Sequence, residues 1–126
     1  VTLTNEIAST AMVIWEVSGL VNTGAYDTGY TTATSRAGVV ATDGNYTNNI
    51  TTTAAGDFIA AVCWDVSGTQ TVAAGTGYTE TWRNSTTSEA LAEYKIAGGS
   101  GTDNATWTPS DTDSYTHHIA AFKAAP

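Results

Sequence analysis

The sequence predicts an all-β fold: two antiparallel sheets packed as a β-sandwich, about nine short strands, and little or no helix. Three observations predict it. Apolar residues recur with period two rather than 3.6, most clearly in 11–17 and 58–66. Short strand-like runs are separated by clusters of Gly, Asn, Asp and Ser at the close spacing of a sandwich or barrel. A chain of 126 residues can bury a real core, and its single cysteine, Cys63, permits no internal disulfide, so packing and backbone pairing must hold the fold. One domain over 1–126 is expected, without a linker or charge block. It fits a fragment of a larger chain as well as a complete one.

Each element has its own signature. Residues 1–4 open as a short strand. In 11–17, Ala11, Val13, Trp15 and Val17 share one face and Met12, Ile14 and Glu16 the other, so this strand is apolar on both sides for much of its length. The run 58–66 repeats the design, with Phe58, Ala60, Val62, Trp64 and Val66 opposed to Ile59, Ala61, Cys63 and Asp65. It should be central in its sheet. Both runs end on an acid-Val-Ser-Gly step, Glu16-Val17-Ser18-Gly19 and Asp65-Val66-Ser67-Gly68, where glycine lets the chain turn.

Further strands are expected at 37–42, 46–53, 78–83, 89–97, 104–108 and 114–124, with Asp43-Gly44 as a hairpin turn and long loops at 18–30 and 67–77. The stretch 89–95 is rich in helix formers, yet Ala90, Ala92, Tyr94 and Ile96 alternate and favour a strand. Val13, Trp15, Phe58, Val62, Trp64, Trp107, Ile119 and Phe122 form the expected core, and Cys63 reads as a small buried hydrophobe.

Charge is sparse and one-sided. Four Lys plus Arg against twelve Asp plus Glu give a net charge of −8, although only 13% of residues are charged. The polar surface is therefore built from Thr, Ser, Asn and Gly, a composition shared with exported surface proteins, adhesive repeats and virion proteins. Arg36, Arg83, Lys95 and Lys123 are scattered, so there is no basic footprint for nucleic acid or for an anionic membrane surface. The longest apolar run, 58–64, is too short to insert across a bilayer. No signal peptide is recognisable and the first residue is Val1, which reads as a mature or trimmed product.

Five motifs follow one another in order: Glu16-Val17-Ser18-Gly19-Leu20, Ala55-Gly56-Asp57-Phe58-Ile59-Ala60-Ala61-Val62, Gly77-Tyr78-Thr79-Glu80, Ala105-Thr106-Trp107-Thr108 and Ile119-Ala120-Ala121-Phe122-Lys123. In these, from Trp15 onward, the chain resembles the concanavalin-like or jelly-roll-like sandwich domains of bacterial exported surface proteins and phage structural proteins. The resemblance implies a jelly-roll-like sandwich in an extracellular, cell-surface or virion-surface setting, and it transfers no active site. Such domains carry further strands ahead of the one that matches Trp15. Part of the sandwich is therefore expected to be absent or supplied by another chain.

Candidate chemistry is thin. His117 and His118 are neighbours in a strand, so their side chains point to opposite faces and cannot chelate one metal together. Asp111 and Asp113, with Asp103, offer oxygen ligands for a structural calcium ion, the one cofactor considered, although Asp also populates turns for local reasons. Glu80, Glu89 and Glu93 are scattered and read as solvent-facing, without the facing carboxylate pair of a glycosidase. Ser100 lies in a Gly-rich turn that lacks the nucleophile-elbow pattern. The expectation is no enzyme.

For sugar binding, Trp82 with Tyr78, joined by Tyr26, Tyr30 and Tyr46 from loops, is the candidate aromatic platform. Trp15 and Trp64 exposed on one concave face would favour that role. Asn45, Asn49, Asn84 and Asn104 head Asn-X-Ser/Thr sequences. The leading expectation is a non-catalytic structural or adhesive unit of an extracellular appendage, fibre or virion surface. It would assemble through sheet edges with copies of itself or a larger structural protein, with Val1, Thr2, Leu3 and Thr4 as the assembling segment. The alternative is a carbohydrate-binding module that recognises surface glycans.

Overall fold

The computed structural model describes residues 13–25, 39–40, 46–65, 72–84, 90–109 and 114–126. These contain eight strands: β1 (Val39–Val40), β2 (Tyr46–Thr52), β3 (Phe58–Asp65), β4 (Val72–Ala73), β5 (Thr79–Asn84), β6 (Ala90–Ile96), β7 (Gly101–Pro109) and β8 (Ser114–Phe122). No helix occurs among the described residues. The strands form two antiparallel sheets, one ordered β1-β8-β3-β6-β5 and the other β2-β7-β4. All-β antiparallel architecture is what the period-two pattern predicts.

The strand over 58–65 is central, as its doubly apolar sequence requires. β3 pairs with β6 along one side and β8 along the other, Phe58 lying between Ile96 and Phe122, and Ala61 between Glu93 and Ile119. Within the expected 89–97 stretch, Ala90–Ile96 is a strand rather than a helix, because β6 is flanked by ladder partners on both sides. Tertiary pairing overrides the helix propensity of Glu, Ala, Leu and Lys there.

One core cluster draws side chains from both sheets. Ile59, Ala61, Cys63, Leu91, Ile119 and Ala121 come from the five-stranded sheet, and Ile50 and Ala105 from the other. β2 lies against β8, and β4 against β6. The odd-numbered residues of β3 therefore face the second sheet, and Cys63 is buried among them as expected. Burying each large aliphatic side chain here contributes about 2 kcal/mol.

Several expectations are corrected. Residues 13–17 are extended, with Val13, Trp15 and Val17 half-buried and Ile14 and Glu16 exposed, but they join no ladder. They lie over the outer face of the five-stranded sheet instead. Val13, Trp15, Val62 and Phe122 are consequently half-buried on that outer face, while Phe58 and Ile119 are buried as expected. The side chains of Trp64 and Trp107 lie outside the description. Asp43-Gly44, the expected hairpin turn, lies outside the described residues; among these, β1 pairs with β8 and β2 with β7. β4 falls inside the predicted 67–77 loop, and β7 begins at Gly101, ahead of the expected 104.

A buried carboxylate fixes the β2–β3 connection. Asp57 is 1% exposed, and its Oδ2 accepts hydrogen bonds from the amides of Thr53 (3.3 Å) and Ala54 (3.1 Å), its Oδ1 from that of Ala124 (3.0 Å). Its backbone carbonyl accepts from Ala97 N, and Gly56 N donates to Ala97 O. Gly56 has φ +89°, and a Cβ there would come within 3.3 Å of that of Ala124, so this position demands glycine. The Asp57 side chain thus ties the β2–β3 turn to the segment after β8, and the backbone of Gly56 and Asp57 adds the end of β6.

Candidate interaction surfaces

Residues 13–25 form a strap across the outer face of the five-stranded sheet. At one end the Trp15 indole N–H donates to Thr81 Oγ1 of β5 at 3.3 Å. At the other, Val21 N donates to Lys123 O, Lys123 N to Ala25 O and Ala125 N to Gly19 O, with Leu20 bridged to Ala124. Gly19 (φ +79°) lets the strap bend into this second anchor.

Between strap and sheet runs an apolar groove of about 470 Å³. Trp15, Val17 and Leu20 form its wall, and Phe58, Ala60, Val62, Ala120 and Phe122 its floor. Phe58 stacks on Tyr94 (centroids 5.7 Å apart) and packs tilted against Phe122 (6.3 Å). His118 lines the groove and is exposed there. The even-numbered residues of β3 and β8 build this floor because the odd-numbered ones are committed to the other sheet.

The sheet edges differ sharply. β1 and β4 are two residues long as described. β5 carries an irregularity between Glu80 and Trp82, and Arg83 is bound to the Glu80 carboxylate by two hydrogen bonds, at 2.9 and 2.7 Å. Those bonds hold the Glu80 carboxyl below its ordinary pKa. A bulge and charged side chains are devices that protect an edge from pairing with another chain. β2 has none of them. Its seven residues, Tyr-Thr-Asn-Asn-Ile-Thr-Thr, contain no charge and no proline, and they run in unbroken register with β7 from Tyr46↔Trp107 to Thr52↔Gly101. Among the described residues, nothing pairs with its other side.

The remaining candidates are dispersed. Tyr78 is 9% exposed, beneath the sheet surface, whereas Trp82 is half-buried. Trp82 stands opposite Ala92, and Glu80 opposite Glu93. The bulge thus turns Trp82 and Glu80 to different faces, which strand alternation alone would place together. Tyr46 begins β2, and Tyr26 and Tyr30 lie outside the described residues. Asp103, in β7, is paired with the Lys95 ammonium, while Asp111 and Asp113 lie outside the description, as do Val1, Thr2, Leu3 and Thr4. Among the described residues no three His, Cys, Asp or Glu side chains are grouped to hold a metal.

Sequence reading missed Glu93, which is wholly buried rather than solvent-facing. Its Oε2 accepts from the amide of Gly75 at 2.9 Å, and its Oε1 has no hydrogen-bond partner among the described residues. Burial raises its pKa to about 7, more than the Gly75 hydrogen bond lowers it, and the nearby Glu80 charge adds to the rise. The clue was its spacing from Leu91 and Lys95 on the face opposite the alanines. Comparison with known protein families, curated proteins and solved structures finds no match to this chain.

Proposed function

We propose that this domain is a non-catalytic structural or adhesive unit of an extracellular appendage, fibre or virion surface, its two sheets packed as a jelly-roll-like sandwich, and that it assembles through a sheet edge. The observation that carries this reading is β2, among the described residues a seven-residue edge without charge, proline or irregularity, in contrast to the β5 edge, which has both a bulge and an ion pair. An edge strand presents a row of backbone donors and acceptors, and an added strand from another copy, or from a larger structural protein, satisfies them. The low-lysine, Thr-rich composition supports the same setting.

Sedimentation of the purified protein tests the proposal. The wild type should associate as concentration rises, and Thr51→Lys, at an exposed β2 position, should remain monomeric with its fold intact. A wild type that stays monomeric at millimolar concentration would overturn it. Carbohydrate binding is the second reading, favoured by the half-exposed Trp15 beside Phe58 and Phe122 in the groove. A glycan array separates the two.

A further inference from the structure

The interior between β6 and the turn that precedes β5 holds two polar atoms with nothing to bond. Glu93 Oε1 and the Tyr78 hydroxyl are both buried and, among the described residues, both without a hydrogen-bond partner. A buried carboxylate that leaves an oxygen unmet is costly, whereas the neutral acid is much less so. The same carboxyl reaches the turn itself, since Glu93 Oε2 accepts from Gly75 N and Tyr78 N donates to Gly75 O. Gly77, at φ +80°, occupies the position that a turn of this kind reserves for glycine.

We propose that Glu93 is a pH-sensitive latch: protonated, it holds the Gly75–Tyr78 turn against β6, and ionised, it releases that turn.

Among the described residues, the groups around it make no counter-charge available. On its own strand, Lys95 is paired with Asp103 of β7. On β5, Glu80 stands directly opposite and is bound by Arg83. On β3 the partner is Ala61, within a row of apolar residues, and the turn contributes the Gly75 amide and the Tyr78 hydroxyl. Tyr78 brings no positive charge, and burial, Asp103 and Glu93 all raise its pKa and keep it a neutral phenol. With the Glu93 pKa raised to about 7, the latch is fully closed below the ordinary carboxyl value and loosens as pH rises through neutrality, the proton leaving to solvent.

Amide exchange, corrected for intrinsic rates, tests this. Protection of the Gly75 amide in the wild type should fall about tenfold or more between pH 5.5 and 8.5. In Glu93→Gln, which cannot ionise, it should not vary with pH. A wild-type profile flat in pH, or an equal slope in the variant, overturns the proposal. Should Glu93→Gln not fold, the carboxyl carbon resonance of Glu93 in the wild type decides: a midpoint near neutrality supports the latch, and an ordinary carboxyl midpoint overturns it.

Discussion

Two buried acids carry opposite lessons. Asp57 is satisfied by three backbone amides and anchors separate parts of the chain, whereas Glu93 has one amide and an unmet oxygen. Asp57→Ala would strand those amides and is expected to cost about 3 kcal/mol, measured by urea unfolding, with Asp57→Asn recovering part of it. Neither role was legible in the sequence. Asp57 sits in a Gly-Asp step that reads as an ordinary turn. Glu93 shares a face with Lys95, and a polar row in an alternating strand reads as solvent-facing until the face opposite is seen to be occupied. The Ala90, Ala92, Tyr94 and Ile96 row is the more apolar, yet it belongs to the outer face, where Ile96 is 53% exposed.

At the scale of the element, β3 was the most legible segment, because only a strand covered on both faces needs apolar residues at consecutive positions. Ile59→Ala on the core side is expected to cost about 2–5 kcal/mol in thermal or urea unfolding, since the site is packed from both sheets. The strap shows the limit of the same signal. Alternation in 13–17 correctly indicates an extended chain, but the run reads as apolar on both faces whereas Ile14 is exposed, and periodicity carries no information about whether the backbone pairs. Trp15→Ala should enlarge the groove and release the Thr81 contact. The expected result is faster exchange across 13–25 with β3 amides still protected. Equal loss of protection in both would mean that the strap and sheet open as one unit. The bulge in β5 was equally hidden, for no glycine or proline marks it.

At the scale of the whole molecule, the composition bears on assembly as much as on fold. A net charge of −8 opposes association between copies, while an uncharged β2 edge favours it. Raising ionic strength from about 0.05 to 0.5 M screens the first and leaves backbone pairing in place. Association measured by sedimentation should therefore strengthen with salt, and assembly that weakened instead would point to contacts between opposite charges. The two antiparallel sheets were legible from periodicity and punctuation. The allocation of strands between them was not, because successive strands mostly pass from one sheet to the other and, among the described strands, only β5 and β6 are consecutive neighbours.

The bridge between Leu20 and Ala124 has a consequence for how the chain reaches its native state. It joins positions near opposite ends of the sequence, so the entropy of closing that long segment must be met before the contact yields anything. During synthesis the second anchor of the strap, at Gly19, Leu20, Val21 and Ala25, has no partner until residues 123–125 have left the ribosome, by which time β2, β3, β5 and β6 have long been available. Folding should thus end with the strap settling onto a sheet already formed, in a molecule whose mostly non-local pairings place it among the slower folders. Leu20→Ala is expected to speed unfolding and leave the folding rate almost unchanged, the kinetic mark of a contact made after the barrier has been crossed.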